Sequence, residues 1–146
     1  MAFTLTSPAF ADGAAIPAEH SCDGAGKPIP LEWSDVPEGT AELALVMDDP
    51  DARGFVHWVV VSIPPSASGF DNGELPGGAQ EGSTGFGVGY GGPCPPSGTH
   101  HYEFTLYALS SPLGAGDSPT ADAVRAAAAD KTLAEAKLTG TYARGG

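Results

Sequence analysis

Short stretches of alternating hydrophobic and polar residues recur along the chain, and turns rich in glycine and proline separate them. The clearest stretch covers residues 100–108, where the even positions are mostly apolar and the odd positions are mostly polar. An alternation of period two is typical of a β-strand with one buried face. Because 21 glycines and 14 prolines are spread over the whole chain, the pattern predicts a mainly β fold, an antiparallel β-sandwich.

A second segment, residues 43–63, has the pattern of a β-hairpin. Apolar runs over 43–47 and 55–63 flank a turn rich in aspartate, proline and glycine. Antiparallel pairing places Asp49 near Phe55 and brings His57 within reach of the Asp49 carboxylate. We expect His57 to share its strand face with three aliphatic residues, Val59, Val61 and Ile63. The alternative role of the turn aspartates is to cap the turn itself.

The C-terminal region predicts one or two short helices packed on the sandwich. The first helix is expected to begin at Ser118 and Pro119, as N-cap and first helical residue, and to end near Ala129. A second short helix is predicted over residues 131–136. Residues 137–144 alternate again and predict a last strand with two inward side chains, Leu138 and Tyr142.

Composition limits the classes of function. With 146 residues, 41% of them hydrophobic and 16% charged, the chain is expected to fold as one domain over residues 1–146. Eighteen acidic residues against six basic ones give a net charge of −12, which argues against nucleic-acid binding and against stable association with anionic membranes. This acidity fits either a high-salt cytosol or an ordinary acidic protein. Neither a membrane span nor a signal peptide is evident, so a cytoplasmic location is predicted.

Residues 88–102, VGYGGPCPPSGTHHY, form the most distinctive loop of the chain. Glycine permits close approach of a ligand or another backbone, and proline fixes φ, so backbone geometry shapes such a loop. The strand that follows directs His100 inward and His101 to the opposite face. The alternative for His100 is a core histidine bonded to the backbone.

Several motifs together resemble one known family. They are DDPDA, a following strand with HW, GYGGPCPP, and HHY leading into EFTLYAL, with further likeness over residues 21–40 and 133–144. The chain is similar to the phosphatidylethanolamine-binding protein family, and more narrowly to its bacterial and archaeal Raf kinase inhibitor-like branch. The resemblance implies a small anion-binding pocket with supporting members Asp51 and Tyr102. Its main ligand-binding residues are then Asp49, His57, Gly92, Pro93 and His100.

Two departures from the family pattern bear on the charge of that pocket. Arg53 stands where many relatives have proline, and His101 stands where eukaryotic members have arginine. A bound phosphate therefore meets less fixed positive charge unless Arg53 supplies it. The expected mechanism is anion binding through His57 and His100, at least one of them protonated, so that binding strengthens as the pH falls.

The function expected from the resemblance is binding of a phosphate-like headgroup, without a cofactor. Regulation of a kinase or another protein partner through the pocket, and a homodimer, are further expectations. The hydrolase motif G-x-S-x-G, the metalloprotease motif H-E-x-x-H and a Walker loop are absent, which argues against an enzyme. The alternative is a metal-dependent enzyme that uses two histidines and one aspartate.

The two cysteines lie in loop motifs that the resemblance brings together. Cys22 belongs to SCDG and Cys94 to GPCPP, so we expect them to be neighbours at the mouth of the pocket. Reduced thiols are the default for a cytosolic protein, and a disulfide is the alternative. A Cα separation well above 7 Å excludes a bridge.

Overall fold

The computed structural model describes residues 2–70, 74–114 and 119–143. Within these ranges the chain forms ten β-strands, one α-helix and two short 3-10 turns, over Ala18–His20 and Pro50–Ala52. The strands are β1 Thr4–Thr6, β2 Leu31–Ser34, β3 Glu42–Asp49, β4 Phe55–Ile63, β5 Gly69–Phe70, β6 Gln80–Glu81, β7 Ser83–Thr84, β8 Gly87–Val88, β9 Thr99–Leu109 and β10 Thr132–Ala143, and the helix α1 is Ala121–Ala128.

The named strands form two facing sheets and a hairpin. The larger sheet has the order β10-β9-β3-β4-β6, the smaller sheet has the order β1-β2-β5, and β7 pairs with β8. Every pairing between named strands is antiparallel. The predicted antiparallel sandwich is therefore confirmed.

The larger sheet is buried on both faces. One face packs against the smaller sheet around Trp33, Trp58 and Phe104, and the other face carries Val46 and Val59 beneath α1. Strand β3 accordingly reads as a continuous apolar run, as expected for a strand covered on both sides. The same covering explains the alternation of β9, whose even positions 102–108 join the core between the sheets.

The C-terminal elements differ in part from the prediction. Thr120 caps α1 by accepting a hydrogen bond from the Ala123 amide at 3.1 Å, and Pro119 precedes the cap. Ser118, the predicted cap, lies outside the described residues. The prediction of a second helix over residues 131–136 is wrong, because residues 132–136 belong to β10 and pair with β9. Sheet pairing outweighs the helix propensity of that Ala-, Lys- and Glu-containing segment.

The last strand keeps the predicted inward positions. Leu138 and Tyr142 are both buried. Strand β10 ends at Ala143, and Arg144, the predicted end of the strand, lies outside the described residues. In the described part of the chain, none of the helical segments has both the length and the apolar character needed to cross a membrane.

A register shift in the β3–β4 hairpin decides where His57 points. Asp49 pairs with Phe55 as predicted, but Met47 pairs with Trp58 and Asp48 with Val56, so His57 is an extra residue on β4. Such a bulge turns a side chain away from simple alternation. The predicted common face of His57 with Val59 and Val61 is therefore wrong, because those valines face α1.

A segment near the start of the chain covers part of the free edge of β10. The amides of Gly13 and Ile16 donate to the carbonyls of Thr139 and Thr141, each at 2.7 Å. The Thr141 amide donates to the Ala14 carbonyl, and the Thr139 amide donates to the Asp12 carboxylate. Both threonines thus have their outward backbone groups satisfied by residues 12–16.

Cys22 and Cys94 form a disulfide, with a Cα separation of 5.4 Å. The prediction that they are neighbours is confirmed. The default of two reduced thiols is wrong, and the disulfide joins segments separated by 72 positions in the sequence. The loop that contains Pro93, Pro95 and Pro96 is called the proline loop below. The bridge fixes this loop to the segment that follows the first 3-10 turn.

Candidate functional site

A pocket of about 360 Å³ opens at the end of the larger sheet where β3, β4 and β9 meet the proline loop. Strand ends supply its polar side chains, and loops supply its apolar wall. The residues that line it are Asp49, Ala52, Phe55, His57, Phe86, Cys94, Pro95, Pro96, His100 and Tyr102.

Asp49 and His100 form a hydrogen-bonded pair on one side of this pocket. The Asp49 side chain is buried, and one carboxylate oxygen accepts from His100 Nδ1 at 2.6 Å. Its other oxygen accepts from the Asp51 amide at 2.9 Å, which caps the turn over Pro50–Ala52. Because the carboxylate fixes Nδ1 as a donor, Nε2 is the His100 nitrogen left to contact a ligand.

His57 lies opposite, with a different partner. Its Nδ1 donates to the Gly91 carbonyl at 2.8 Å, and its ring packs edge-on against Tyr102 with centroids 5.2 Å apart. Burial lowers the pKa of His57, although the Gly91 carbonyl and Asp49 act in the opposite direction. His57 is thus neutral at pH 7, and Nε2 carries a lone pair that accepts hydrogen bonds.

Tyr102 supplies a buried hydroxyl between the two histidines. Its side chain is fully buried, and among the described residues its hydroxyl has no hydrogen-bond partner. Burial is the first cause that raises the pKa of Tyr102, followed by the charge of Asp49, so the hydroxyl keeps its proton. The Cys94 backbone amide acts to lower this pKa without meeting hydrogen-bond geometry. A buried donor without a partner is costly, and a ligand oxygen would satisfy it.

Two phenylalanines that the sequence analysis did not single out form the rim. Phe55 and Phe86 contact each other and both contact the His57 ring, with centroids 5.2 to 5.3 Å apart. A Cβ atom at Gly85 would clash with the Phe55 ring, and one at Gly91 would clash with Phe86. The glycines of residues 85–91 therefore make room for this aromatic rim. The glycine-rich sequence indicated a close approach at these positions, but it did not indicate which aromatic rings make that approach.

Of the seven predicted site residues, four line the pocket: Asp49, His57, His100 and Tyr102. Asp51 instead accepts from the amide and Nδ1 of His101, at 2.7 and 2.8 Å, and holds the start of β9.

Gly92 and Pro93 lie behind the pocket wall. A Cβ at Gly92 would meet the His20 carbonyl and the Ser21 backbone, and the Pro93 carbonyl accepts from the Cys22 amide at 3.1 Å. Both residues therefore tie the loop to the segment behind it and do not line the cavity. Arg53 is exposed and is not a lining residue either.

The two-histidine, one-aspartate metal triad is not assembled. Asp49 binds His100 Nδ1 and the Asp51 amide, so its oxygens are directed at protein groups. Across the described ranges, no group of three or more His, Cys, Asp or Glu side chains is placed to hold a metal ion. The geometry of these residues favours hydrogen bonding to a ligand over coordination.

A larger depression of about 460 Å³ lies elsewhere and shares no lining residue with the pocket. Three prolines and an alanine form much of its wall, and its polar members are Glu19, His20 and Lys27. The His20 ring is bonded through Nδ1 to the Lys27 carbonyl at 2.9 Å. The smaller pocket is the candidate site because it collects the two histidines, Asp49 and the unpartnered hydroxyl of Tyr102.

We expect the free energy of unfolding to decrease as the pH is lowered below about 6.5, in part because of His57. In the unfolded chain this histidine takes up a proton near that pH, whereas burial in the fold lowers its pKa. The unfolded state then binds more protons, so acidification favours unfolding. Thermal unfolding from about pH 7 to about pH 5 measures the effect.

The variant His57→Gln should show a weaker pH dependence than the parent protein. His101→Gln is the matched control, because the His101 side chain is exposed at 56%. An unchanged slope in His57→Gln would show that another group causes the pH dependence.

Comparison with known proteins adds sequence evidence to this geometry. The family model described as phosphatidylethanolamine-binding protein matches residues 6–143. A Mycobacterium tuberculosis protein named as the lipoprotein LppC is 49% identical over 148 residues, covering 95% of this chain and 71% of the relative. The UPF0098 protein of Methanothermobacter thermautotrophicus is 43% identical, covering 97% of this chain and 99% of the relative.

A solved structure agrees with the fold over nearly its whole length. The crystal structure of a homologue from Chlamydia trachomatis, CT736, superposes with a TM-score of 0.92 at 36% sequence identity. The match covers 98% of each chain.

Proposed function

The chain belongs to the phosphatidylethanolamine-binding protein family, and from this premise we propose that it binds a small phosphate-like anion in the pocket between His57 and His100. The observation that carries the proposal is the Tyr102 hydroxyl, a buried donor without a partner among the described residues. An anionic oxygen is the ligand group that satisfies such a donor best.

The charge of the lining residues limits the anion. None of the described residues that line the pocket is lysine or arginine, and Asp49 contributes one negative charge beside His100. When His100 carries both ring protons, its positive charge offsets that of Asp49 and Nε2 donates to the ligand. The pocket then suits a singly charged anion, because a multiply charged one would be desolvated without enough positive charge.

His57 adds a requirement for a hydrogen-bond donor on the ligand. Its Nδ1 donates to Gly91, and burial lowers its pKa, so Nε2 accepts a hydrogen bond at neutral pH. A phosphate monoester that retains one proton has both parts: an anionic oxygen for Tyr102 and His100, and a hydroxyl for His57. Sulfate, of similar shape, has no proton to donate.

The test is calorimetric titration of the protein, purified without phosphate, with phosphoethanolamine and inorganic phosphate. We expect binding to strengthen as the pH falls from about 8 to about 6, because the phosphate group gains a proton in this range and then carries the single charge and the hydroxyl that suit the pocket. Sulfate is the matched control and should bind more weakly than phosphate at the lower pH. Absence of measurable binding for both phosphate ligands at the lower pH would refute the proposal.

A further inference from the structure

The Cys22–Cys94 disulfide lies at the mouth of the pocket. Cys94 lines the cavity, and both cysteines are solvent-exposed. A reductant in solution can therefore reach this bridge without unfolding of the protein. Exposed disulfides are the ones most readily reduced, and they include most regulatory bridges.

The part of the wall next to the disulfide makes little use of backbone hydrogen bonds. Residues 94–96 line the pocket, and within the described residues no backbone hydrogen bond is made by residues 94–98 before β9 begins at Thr99. Pro95 and Pro96 cannot donate such a bond because proline has no N–H group. The covalent link through Cys94 therefore adds to two other attachments of this wall, the bond from the Cys22 amide to the Pro93 carbonyl and the burial of Pro95.

The other end of the disulfide is well anchored. Ser21 is buried, and its hydroxyl, which has one proton to donate, lies 2.8 Å from the Ala18 carbonyl and 2.9 Å from the Tyr142 hydroxyl. Tyr142 in turn donates to the Asp23 carboxylate at 2.6 Å and pairs with His100 across β10 and β9. Cys22 therefore belongs to a fixed segment that contacts the sheet beside the site.

We infer that the disulfide controls ligand binding, so that the oxidised protein binds and the reduced protein binds weakly; this rests on the proposed anion site. A dithiol in solution is the reductant. It transfers two electrons and two protons to Cys22 and Cys94, the S–S bond breaks, two thiols form, and the dithiol becomes a disulfide.

Reduction releases the wall of residues 94–96 but leaves the polar side chains in place. His57 stays bonded to the Gly91 carbonyl, and His100 stays bonded to Asp49. A wall that samples its closed position for only part of the time lowers the apparent affinity by that fraction. By reciprocity, a bound anion must stabilise the oxidised form and shift the equilibrium between disulfide and dithiol towards the disulfide.

Calorimetric titration of the oxidised and the dithiothreitol-reduced protein with phosphoethanolamine measures the effect directly. We expect the Kd to rise about tenfold or more on reduction, as for a wall that is closed in about a tenth of the molecules. The variant Cys22→Ser/Cys94→Ser should bind as weakly as the reduced protein and should not respond to dithiothreitol. Equal affinity of the oxidised and reduced proteins, both folded by circular dichroism, would overturn the inference.

Hydrogen exchange separates failure of this inference from failure of the proposed function, because it needs no ligand. The Cys22 amide, which donates to the Pro93 carbonyl at 3.1 Å, should exchange faster in the reduced protein, while the amides of β3 should not change. If the oxidised protein binds none of the anions, the proposed function fails on its own, and unchanged exchange of the Cys22 amide on reduction would then also refute release of the wall. Should reduction unfold the protein altogether, the fraction reduced at equilibrium in a buffer of reduced and oxidised dithiothreitol, with and without phosphoethanolamine, decides: a smaller reduced fraction with ligand supports the inference, and an equal fraction overturns it.

Discussion

Replacement of His100 by alanine should weaken binding of phosphoethanolamine by roughly 10- to 100-fold, the loss expected for one charged hydrogen bond. The substitution removes the Nε2 donor and also leaves Asp49 buried without its imidazole partner. An unpaired carboxylate beside the anion then adds repulsion to the missing bond. The double replacement of His57 and His100 should remove measurable binding. Calorimetric titration near pH 6 is the measurement.

His101→Ala is the matched control, one residue along the same strand. Its ring bonds to Asp51 on the exposed side and does not line the pocket. We expect its affinity for phosphoethanolamine to stay close to that of the parent protein. Equal losses from the two single substitutions would contradict the assignment of the strand faces, and undiminished binding by the double variant would contradict the pocket itself.

Loss of the disulfide should lower the free energy of unfolding by about 2 to 4 kcal/mol. The bridge closes a loop with a sequence separation of 72, and a long closed loop restricts the unfolded chain strongly. For a domain of this size the loss corresponds to a fall in Tm of roughly 6 to 12 °C. Thermal unfolding of Cys22→Ser/Cys94→Ser beside the parent protein measures it.

Reduction of the parent protein should reproduce that change, and reduction of the double variant should add nothing to it. A Tm that is the same in all four samples would mean that the bridge does not stabilise the fold. Because this readout is stability without ligand, it is independent of any effect of the disulfide on the pocket.

Much of the sandwich could be predicted from the sequence because alternation and burial coincide there. The even positions of β9 face the core, and Asp49 pairs with Phe55 across a hairpin whose turn is marked by aspartate and proline. The contact between Asp49 and His100 could not be predicted from local sequence pattern. Only the family resemblance indicated that the two residues share a pocket.

The features that sequence reasoning missed depend on long-range geometry. The bulge at His57 follows from the register of β3 against β4, which no local pattern encodes. Residues 132–136 have helix-forming composition, but pairing with β9 makes them strand. Gly92 was assigned to the ligand, whereas it provides the close approach of two loops.

Several expectations stay predictions. They are the single domain, regulation of a kinase or another partner, the homodimer and the cytoplasmic location. The last of these led us to expect reduced thiols, and the disulfide argues against it, since disulfides persist mainly in oxidising compartments.

The covered edge of β10 has a consequence for self-association. An unprotected strand edge is a template on which another copy can add a strand and start aggregation. Residues 12–16 occupy the half of that edge near Thr139 and Thr141, and the other half carries the exposed charges of Glu135 and Lys137. The covering segment and the exposed charges each oppose pairing of β10 with a strand of another copy. A variant of this chain that lacks residues 12–16 would therefore keep its pocket residues but expose the backbone groups of Thr139 and Thr141. Copies of such a variant would pair through this edge and form fibrils.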